Sequence, residues 1–148
     1  MTNAATPPIP ENATPAARIR MATFRLARRL RAHRAIDSMS DAQFNVLAVL
    51  SMYGDHTLSE LAERDRISAP SMTRTVNGLE ESGWVTRTAD AADRRKVNIA
   101  LTDAGRTVVT ETVRKRDAWL DDGFNELTED ERDILLRAAP IMRKLADR

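Results

Sequence analysis

Three local signals follow one another between residues 57 and 101 and together limit the possible folds: two short amphipathic helices, a Gly-Trp break and a charged hairpin. The first helix is predicted to begin after Thr57, because Thr57 and Glu60 have the spacing of a capping box. Its apolar residues then fall on one helical face: Leu58, Leu61 and Ala62. The pattern stops near residue 65, so this helix is predicted to be short.

A second helix is predicted to follow Ser68, a favourable N-cap residue, with Pro70 tolerated in its first turn. Its inward face carries apolar residues at helical spacing: Met72, Val76 and Leu79. Its outward face is polar: Ser71, Thr73, Arg74 and Asn77. Arginine can bond guanine or a phosphate, asparagine can pair with adenine, and hydroxyls can bond either groove edges or phosphates. This face suits a DNA-reading helix, and the alternative is an ordinary solvated face.

The hairpin comes next. Gly83 is typical of a helix end, and residues 84–87 and 96–101 have the composition and alternation of two strands. The loop between them, residues 88–95, brings Arg94 and Arg95 next to Lys96. With Arg87 at its base, such a basic loop can enter a narrow minor groove, whose negative potential attracts arginine. The alternative is a solvated basic turn.

Residues 40–105 resemble the MarR (multiple antibiotic resistance regulator) family of transcription factors. The resemblance rests on the segment from Ser71 to Glu80, on Gly83-Trp84-Val85, and on Asp93-Arg94-Arg95 followed by a strand, Thr102 and Gly105. It implies that the helix near residues 69–82 lies in the major groove, that Arg95 enters the minor groove and that Asp93 orients the wing. The chain departs from the family pattern in lacking the proline often found after Asp90.

These inferences give a mainly α-helical fold class with a small β-hairpin wing, in which helices at both chain ends flank a winged helix-turn-helix. The predicted DNA-contacting residues are Ser68, Pro70, Ser71, Thr73, Arg74, Asn77, Arg87, Asp93, Arg94, Arg95 and Lys96. We expect residues 1–15 to form a disordered arm, because they hold four of the six prolines. Residues 16–148 are then one domain, with residues 40–101 as its DNA-binding region.

Composition excludes several function classes. The chain has 148 residues and no cysteine, so disulfides, thiolate metal sites and thiol redox sensing are ruled out. Its two histidines, His33 and His56, lack a third metal ligand at a sensible spacing. No catalytic motif or set of converging titratable groups is recognisable. We expect a cytoplasmic protein that is not an enzyme and needs no metal or cofactor.

The net charge of +1 conceals a segregation of charge. Residues 16–36 contain seven arginines and no acidic residue, whereas residues 117–133 contain eight acidic residues and one arginine. The arginine-rich segment either contacts DNA phosphates or pairs with the acidic segment, and we favour pairing for most of these arginines.

Residues 16–36 and 103–148 are predicted to form helices that the central region does not need for its own core. A capping box at Ser40 and Gln43 begins another helix, which has one apolar face and ends at Gly54. Pro140 is expected to kink or divide the last helix. Homodimerisation would bury the terminal helices and place two reading helices one turn apart on a palindromic site. The alternative is a six-helix monomer. The resemblance implies that the first, fifth and sixth helices form the dimer.

We therefore predict a homodimeric transcriptional regulator, most simply a repressor, whose DNA binding responds to a small molecule. The family implies aromatic effectors. Five side chains are candidates for the pocket, although each also fits a place in the core: Phe24, Phe44, Met52, Tyr53 and Trp119. The alternative function is a winged-helix module for protein interaction without a DNA role.

Overall fold

The computed structural model describes residues 10, 12–90, 93 and 96–148. Its helices are α1 (Pro15–Ala32), α2 (Asp41–Tyr53), α3 (Leu58–Arg64), α4 (Ala69–Glu81), α5 (Asp103–Asn125) and α6 (Glu129–Ala146). Its strands are β1 (His56–Thr57), β2 (Val85–Ala89) and β3 (Val97–Leu101). The predicted class, mainly α-helical with a small β wing, is confirmed. The chain separates into two units, Met1–His33 and Arg34–Arg148.

Helix α1 belongs to the first unit. Thr14 caps it, since its Oγ1 accepts a hydrogen bond from the backbone N–H of Ala17 at 3.2 Å. Pro15 starts the helix, where a missing N–H costs nothing. The helix therefore begins within the segment predicted as a disordered arm, most of which lies outside the described residues. No residue of α1 is buried, and its exposed apolar side chains include Ile19, Phe24 and Leu26.

The capping boxes predicted from the sequence are present at the starts of α2 and α3. Ser40 and Gln43 exchange backbone and side-chain hydrogen bonds of 2.9 and 3.1 Å. The N–H and hydroxyl of Thr57 donate to Glu60 at 2.7 and 2.9 Å, and they hold the pKa of Glu60 below its ordinary value. The same arrangement opens α6, at Thr128 and Glu131. Local sequence therefore sets where these helices begin.

The core of the second unit is built around α2, which contacts α4, α5 and β3. Because α2 has neighbours on several sides, the prediction of a single apolar face was too narrow. Its buried residues are Val46, Leu47, Val49 and Leu50. From α4, the residues predicted to face inward are all fully buried: Met72, Val76 and Leu79.

The sheet is antiparallel with strand order β1-β3-β2. The hairpin of β2 and β3 was predicted, and its register pairs Val85 with Leu101 and Ala89 with Val97. The two-residue strand β1, which pairs His56 with Ile99, was missed because so short a strand leaves no periodic signal. Its pairing fixes the start of α3 against the sheet.

Helix α5 is joined to the segment that precedes α2. The buried Thr112 hydroxyl accepts a hydrogen bond from the N–H of Ala35 at 3.1 Å, and Lys115 Nζ donates to the carbonyl of Arg34 at 3.1 Å. Helix α6, by contrast, buries no residue. It continues as one helix through Pro140, so of the two predicted effects of this proline, a kink or a division, the division does not occur. Among the described residues, no helix is both long and apolar enough to cross a membrane.

Candidate nucleic-acid interface

The outward face of α4 opens with a chain of hydrogen bonds. Ser68 Oγ accepts from the N–H of Ser71 at 3.4 Å and donates to Ser71 Oγ at 3.0 Å. Arg74 Nη2 donates to the same Ser71 oxygen at 3.2 Å. Because of this bond, the Arg74 guanidinium lies along the first turns of the helix. The Arg74 side chain is exposed, so its charge is in solvent. This arrangement presents a cation beside the N-terminal turn of α4, where the helix dipole also favours an anion.

Two other residues predicted to contact DNA, Thr73 and Pro70, lie in the same turns and have no free hydrogen-bond donor to offer. Thr73 Oγ1 donates to the carbonyl of Ala69 at 2.8 Å, so the hydroxyl hydrogen is used within the helix. Thr73 can therefore accept a hydrogen bond or offer its methyl group to a base. Pro70 is exposed in the first turn and has no N–H to donate.

Arg87 takes a position that the sequence did not predict. Instead of extending with the wing, its guanidinium bridges back to α4, where Nη1 donates to Glu80 Oε2 and Nη2 donates to Asn77 Oδ1 at 2.7 Å. Asn77 and Glu80 are three residues apart and so share one helix face. Sequence reasoning assigned no role to Glu80, although its spacing from Asn77 was a readable signal. The strand β2 is thereby tied to the helix that the sequence assigns to DNA reading.

The base of the wing is organised by Asp90, another residue that sequence reasoning missed. Its Oδ1 accepts from the N–H of Asp93 at 2.9 Å and its Oδ2 accepts from Asn98 Nδ2 at 2.9 Å. Backbone bonds from Asp90 to Lys96 (3.0 Å) and from Lys96 to Asp93 (2.8 Å) close the loop. An aspartate that bonds backbone a few residues on is a common turn device and was the available signal. Lys96 is exposed, whereas Arg94 and Arg95 lie outside the described residues.

Comparisons with known proteins identify the family of this chain. The MarR family model matches residues 39–97. An uncharacterized HTH-type transcriptional regulator of Mycobacterium bovis is 35% identical over 127 residues, which cover 86% of this chain and 89% of that protein. This chain belongs to the MarR family. Like its relatives, it is a DNA-binding transcriptional regulator with a winged helix-turn-helix, and not an enzyme.

Two further MarR-like relatives are informative. The HTH-type transcriptional repressor MdtR of Bacillus subtilis is 35% identical over 108 residues, 73% of this chain and 68% of that one. A solved structure of Bordetella bronchiseptica BpsR, whose DNA binding is regulated by 6-hydroxynicotinic acid, has a TM-score of 0.67 and 25% identity. The match covers 96% of this chain and 99% of BpsR.

Two of the five candidate effector residues of this MarR-family chain share a described groove. Met52 and Tyr53 line an open groove of about 310 Å³ beside α3, and Arg64 stacks over the Tyr53 ring with its guanidinium carbon 3.9 Å from the ring centre. Phe44 is half-buried, and Arg116 lies over its ring at 4.2 Å. Phe24 is exposed on α1, in the other unit. Trp119 is partly exposed on α5.

The histidines occupy structural positions. His56 Nδ1 lies 2.8 Å from the carbonyl of Gly54, within the turn that leads into β1. His33 is the C-cap residue of α1, and its N–H donates to the carbonyl of Leu30 at 3.0 Å. In the part of the chain that the structure describes, no three His, Cys, Asp or Glu side chains are placed to hold a metal ion.

Proposed function

We propose that this MarR-family regulator acts in the cytoplasm as a homodimeric repressor on a palindromic operator, and that a small aromatic effector weakens its binding. The observation that carries the proposal is the outward polar face of α4, which is tied to the wing through Arg87. A helix and a hairpin held as one body can contact adjacent grooves of one duplex together.

The chemistry of the α4 face supports DNA as the partner. Its inner residues are fully buried, so the polar outer residues are the ones left to meet a ligand. Arg74 provides a cation for a phosphate or a guanine edge, and Lys96 adds a second cation at the base of the wing. The wing residues Arg94 and Arg95 supply two further charges by sequence.

The terminal helices support homodimerisation. The exposed apolar residues of α6 include Ile134, Leu135, Ile141, Met142 and Leu145, at exposed fractions of 41% to 62%. They follow helical spacing and form a continuous apolar stripe, which water solvates poorly. A second copy of the chain offers an identical stripe, and two-fold symmetry makes such a surface self-complementary. The same symmetry gives the pair of α4 helices a palindromic target.

Repression and effector control are inferred from the relatives and from one groove. MdtR is a repressor, and the DNA binding of BpsR is regulated by an aromatic acid. In this chain the groove beside Tyr53 places the Arg64 guanidinium next to an exposed ring, a pairing suited to an aromatic anion. Because α3 directly precedes α4, a ligand there can shift the reading helix. A hundredfold loss of DNA affinity needs only about 2.7 kcal/mol of differential binding.

The test is binding to duplexes carrying the DNA upstream of the chain's own gene, measured by fluorescence anisotropy at several salt concentrations. We expect affinity to fall steeply with salt, because phosphate contacts release counterions. Arg74→Ala and Arg95→Ala should each weaken binding while the dimer stays folded. Arg137→Ala, which removes the same charge from α6, is the matched control and should bind like wild type. Binding that ignores salt, or equal affinities for all four proteins, would contradict the proposal and favour a protein-interaction module.

A further inference from the structure

The bond between Arg87 and Asn77 restricts how Asn77 can read a base. Guanidinium nitrogens only donate hydrogen bonds, so the atom of Asn77 that faces Arg87 at 2.7 Å must be the carbonyl oxygen Oδ1. The side-chain amide is planar, and its two ends point in different directions. Because Oδ1 faces Arg87, the NH₂ group of the exposed Asn77 points away from Arg87.

Pairing with adenine needs both ends of the amide on one base edge. In that pairing Nδ2 donates to adenine N7 while Oδ1 accepts from the adenine amino group. Here a cationic donor already occupies Oδ1, so an adenine amino group would have to share that oxygen with a guanidinium. Guanine presents only acceptors, N7 and O6, on the same edge, and these match a group that donates.

Glu80 explains why Arg87 stays in place. The Arg87 guanidinium donates one hydrogen bond to the Asn77 amide oxygen and another to the Glu80 carboxylate. The Arg87 side chain is 31% exposed. A charge-assisted bond to a carboxylate is stronger than a neutral one, so Glu80 is the anchor and Asn77 the group that is oriented. Arg87 also lies in the middle of β2, opposite Ile99, and is therefore fixed by the sheet.

We propose that Arg87 is a positioning residue that orients the Asn77 amide, so that Asn77 recognises guanine rather than adenine in the operator. The proposal rests on DNA binding through α4 as set out above. It adds which base Asn77 recognises. It also adds that Arg87, which does not contact that base, determines the preference.

The experiment is in vitro selection by the full-length protein from a library of duplexes with a randomised central segment. The position read by Asn77 is the one whose base preference disappears in Asn77→Ala. At that position we expect wild type to prefer guanine over adenine by about tenfold. Arg87→Met frees Oδ1, so the preference should shift towards adenine. Replacing the selected guanine by 7-deazaguanine, which lacks N7, should weaken wild type but not Asn77→Ala.

Two further variants keep the result interpretable if Arg87→Met folds poorly. Glu80→Ala removes the anchor at a half-exposed site and should move the preference in the same direction as Arg87→Met. Arg106→Met removes an exposed arginine at the start of α5 and should leave every preference unchanged. Circular dichroism checks that each variant is folded.

The possible failures separate cleanly. If wild type enriches no sequence from the library, the proposed DNA-binding function falls, and this inference falls with it. If sequences are enriched but wild type prefers adenine at the Asn77 position, only the inference is overturned. The same holds if Asn77→Ala alters no position, or if folded Arg87→Met and Glu80→Ala both keep the guanine preference.

Discussion

Gly105 lies where the start of α5 meets the base of the β2–β3 hairpin, and its replacement by alanine should destabilise the fold. Gly105 is buried in the first turn of α5, where its N–H donates to the Thr102 hydroxyl at 3.1 Å. A Cβ atom added there would lie 2.1 Å from the carbonyl oxygen of Trp84 and 3.0 Å from Leu101 Cδ2. The first neighbour is backbone, so it cannot turn aside as the end of a flexible side chain would.

The size of the effect follows from three terms. Alanine is the better helix former by about 1 kcal/mol, which favours the variant. Overpacking against a fixed backbone atom costs about 1–3 kcal/mol. The carbonyl that must move also accepts the N–H of Thr102 at 3.1 Å, and weakening that bond costs about 1 kcal/mol. The net expectation is a loss of about 2 kcal/mol in the free energy of unfolding.

The assay is urea unfolding followed by circular dichroism at one fixed protein concentration, because the stability of the proposed dimer would depend on concentration. Gly123→Ala, in the same helix, is the control: no atom lies within 4 Å of the added Cβ, so alanine should stabilise by about 0.5–1 kcal/mol. Opposite signs for the two substitutions are expected. A Gly105→Ala protein as stable as wild type would refute the close approach to Trp84.

Two other predictions concern the cap of α3 and the apolar stripe of α6. Thr57→Ala should cost about 1 kcal/mol of stability. The N–H and hydroxyl of Thr57 hold the pKa of Glu60 below its ordinary value, so the part of the cap that depends on ionised Glu60 should be present at neutral pH and be lost as the pH falls through that lowered pKa. Acid titration of stability checks both, and a Glu60→Gln protein that loses stability with falling pH as steeply as wild type would refute the assignment. Ile141→Glu, which places a charge on the stripe, should yield monomers by sedimentation velocity, whereas Lys144→Glu, off the stripe on the same helix, should not. An Ile141→Glu protein that remains dimeric would argue against the α6 interface.

Much of the winged helix-turn-helix was predictable because the sequence signals for its helices and hairpin are local. A capping box needs residues only three positions apart, and the buried face of α4 follows from helical spacing. The hairpin alternation predicted β2 and β3, although Val97 at the far end of β3 is 45% exposed and so lies beyond the core. These features depend on neighbours in sequence, so the sequence pattern contains them.

Features that depend on distant neighbours were missed or misjudged. The strand β1 exists because β3, some forty residues later, offers it a partner. Helix α2 buries more than one face because α4 and α5 both pack against it. Arg87 reads in sequence as one more basic residue of the wing, yet it turns back to α4, because a carboxylate and an amide lie within reach there.

The order of the elements, the starts of the helices and the polar chemistry of the α4 face follow from the residue pattern, since propensity, capping and periodicity act over one or two turns. Which polar groups remain available to a partner depends instead on contacts made across the fold. A hydrogen bond satisfied across the fold removes a donor or acceptor from the surface, and its partner residue can be anywhere in the chain. Asn77 is exposed both in the sequence-based prediction and in the structure. The orientation of its amide, however, depends on Arg87, ten residues away, and on the Glu80 carboxylate that binds Arg87.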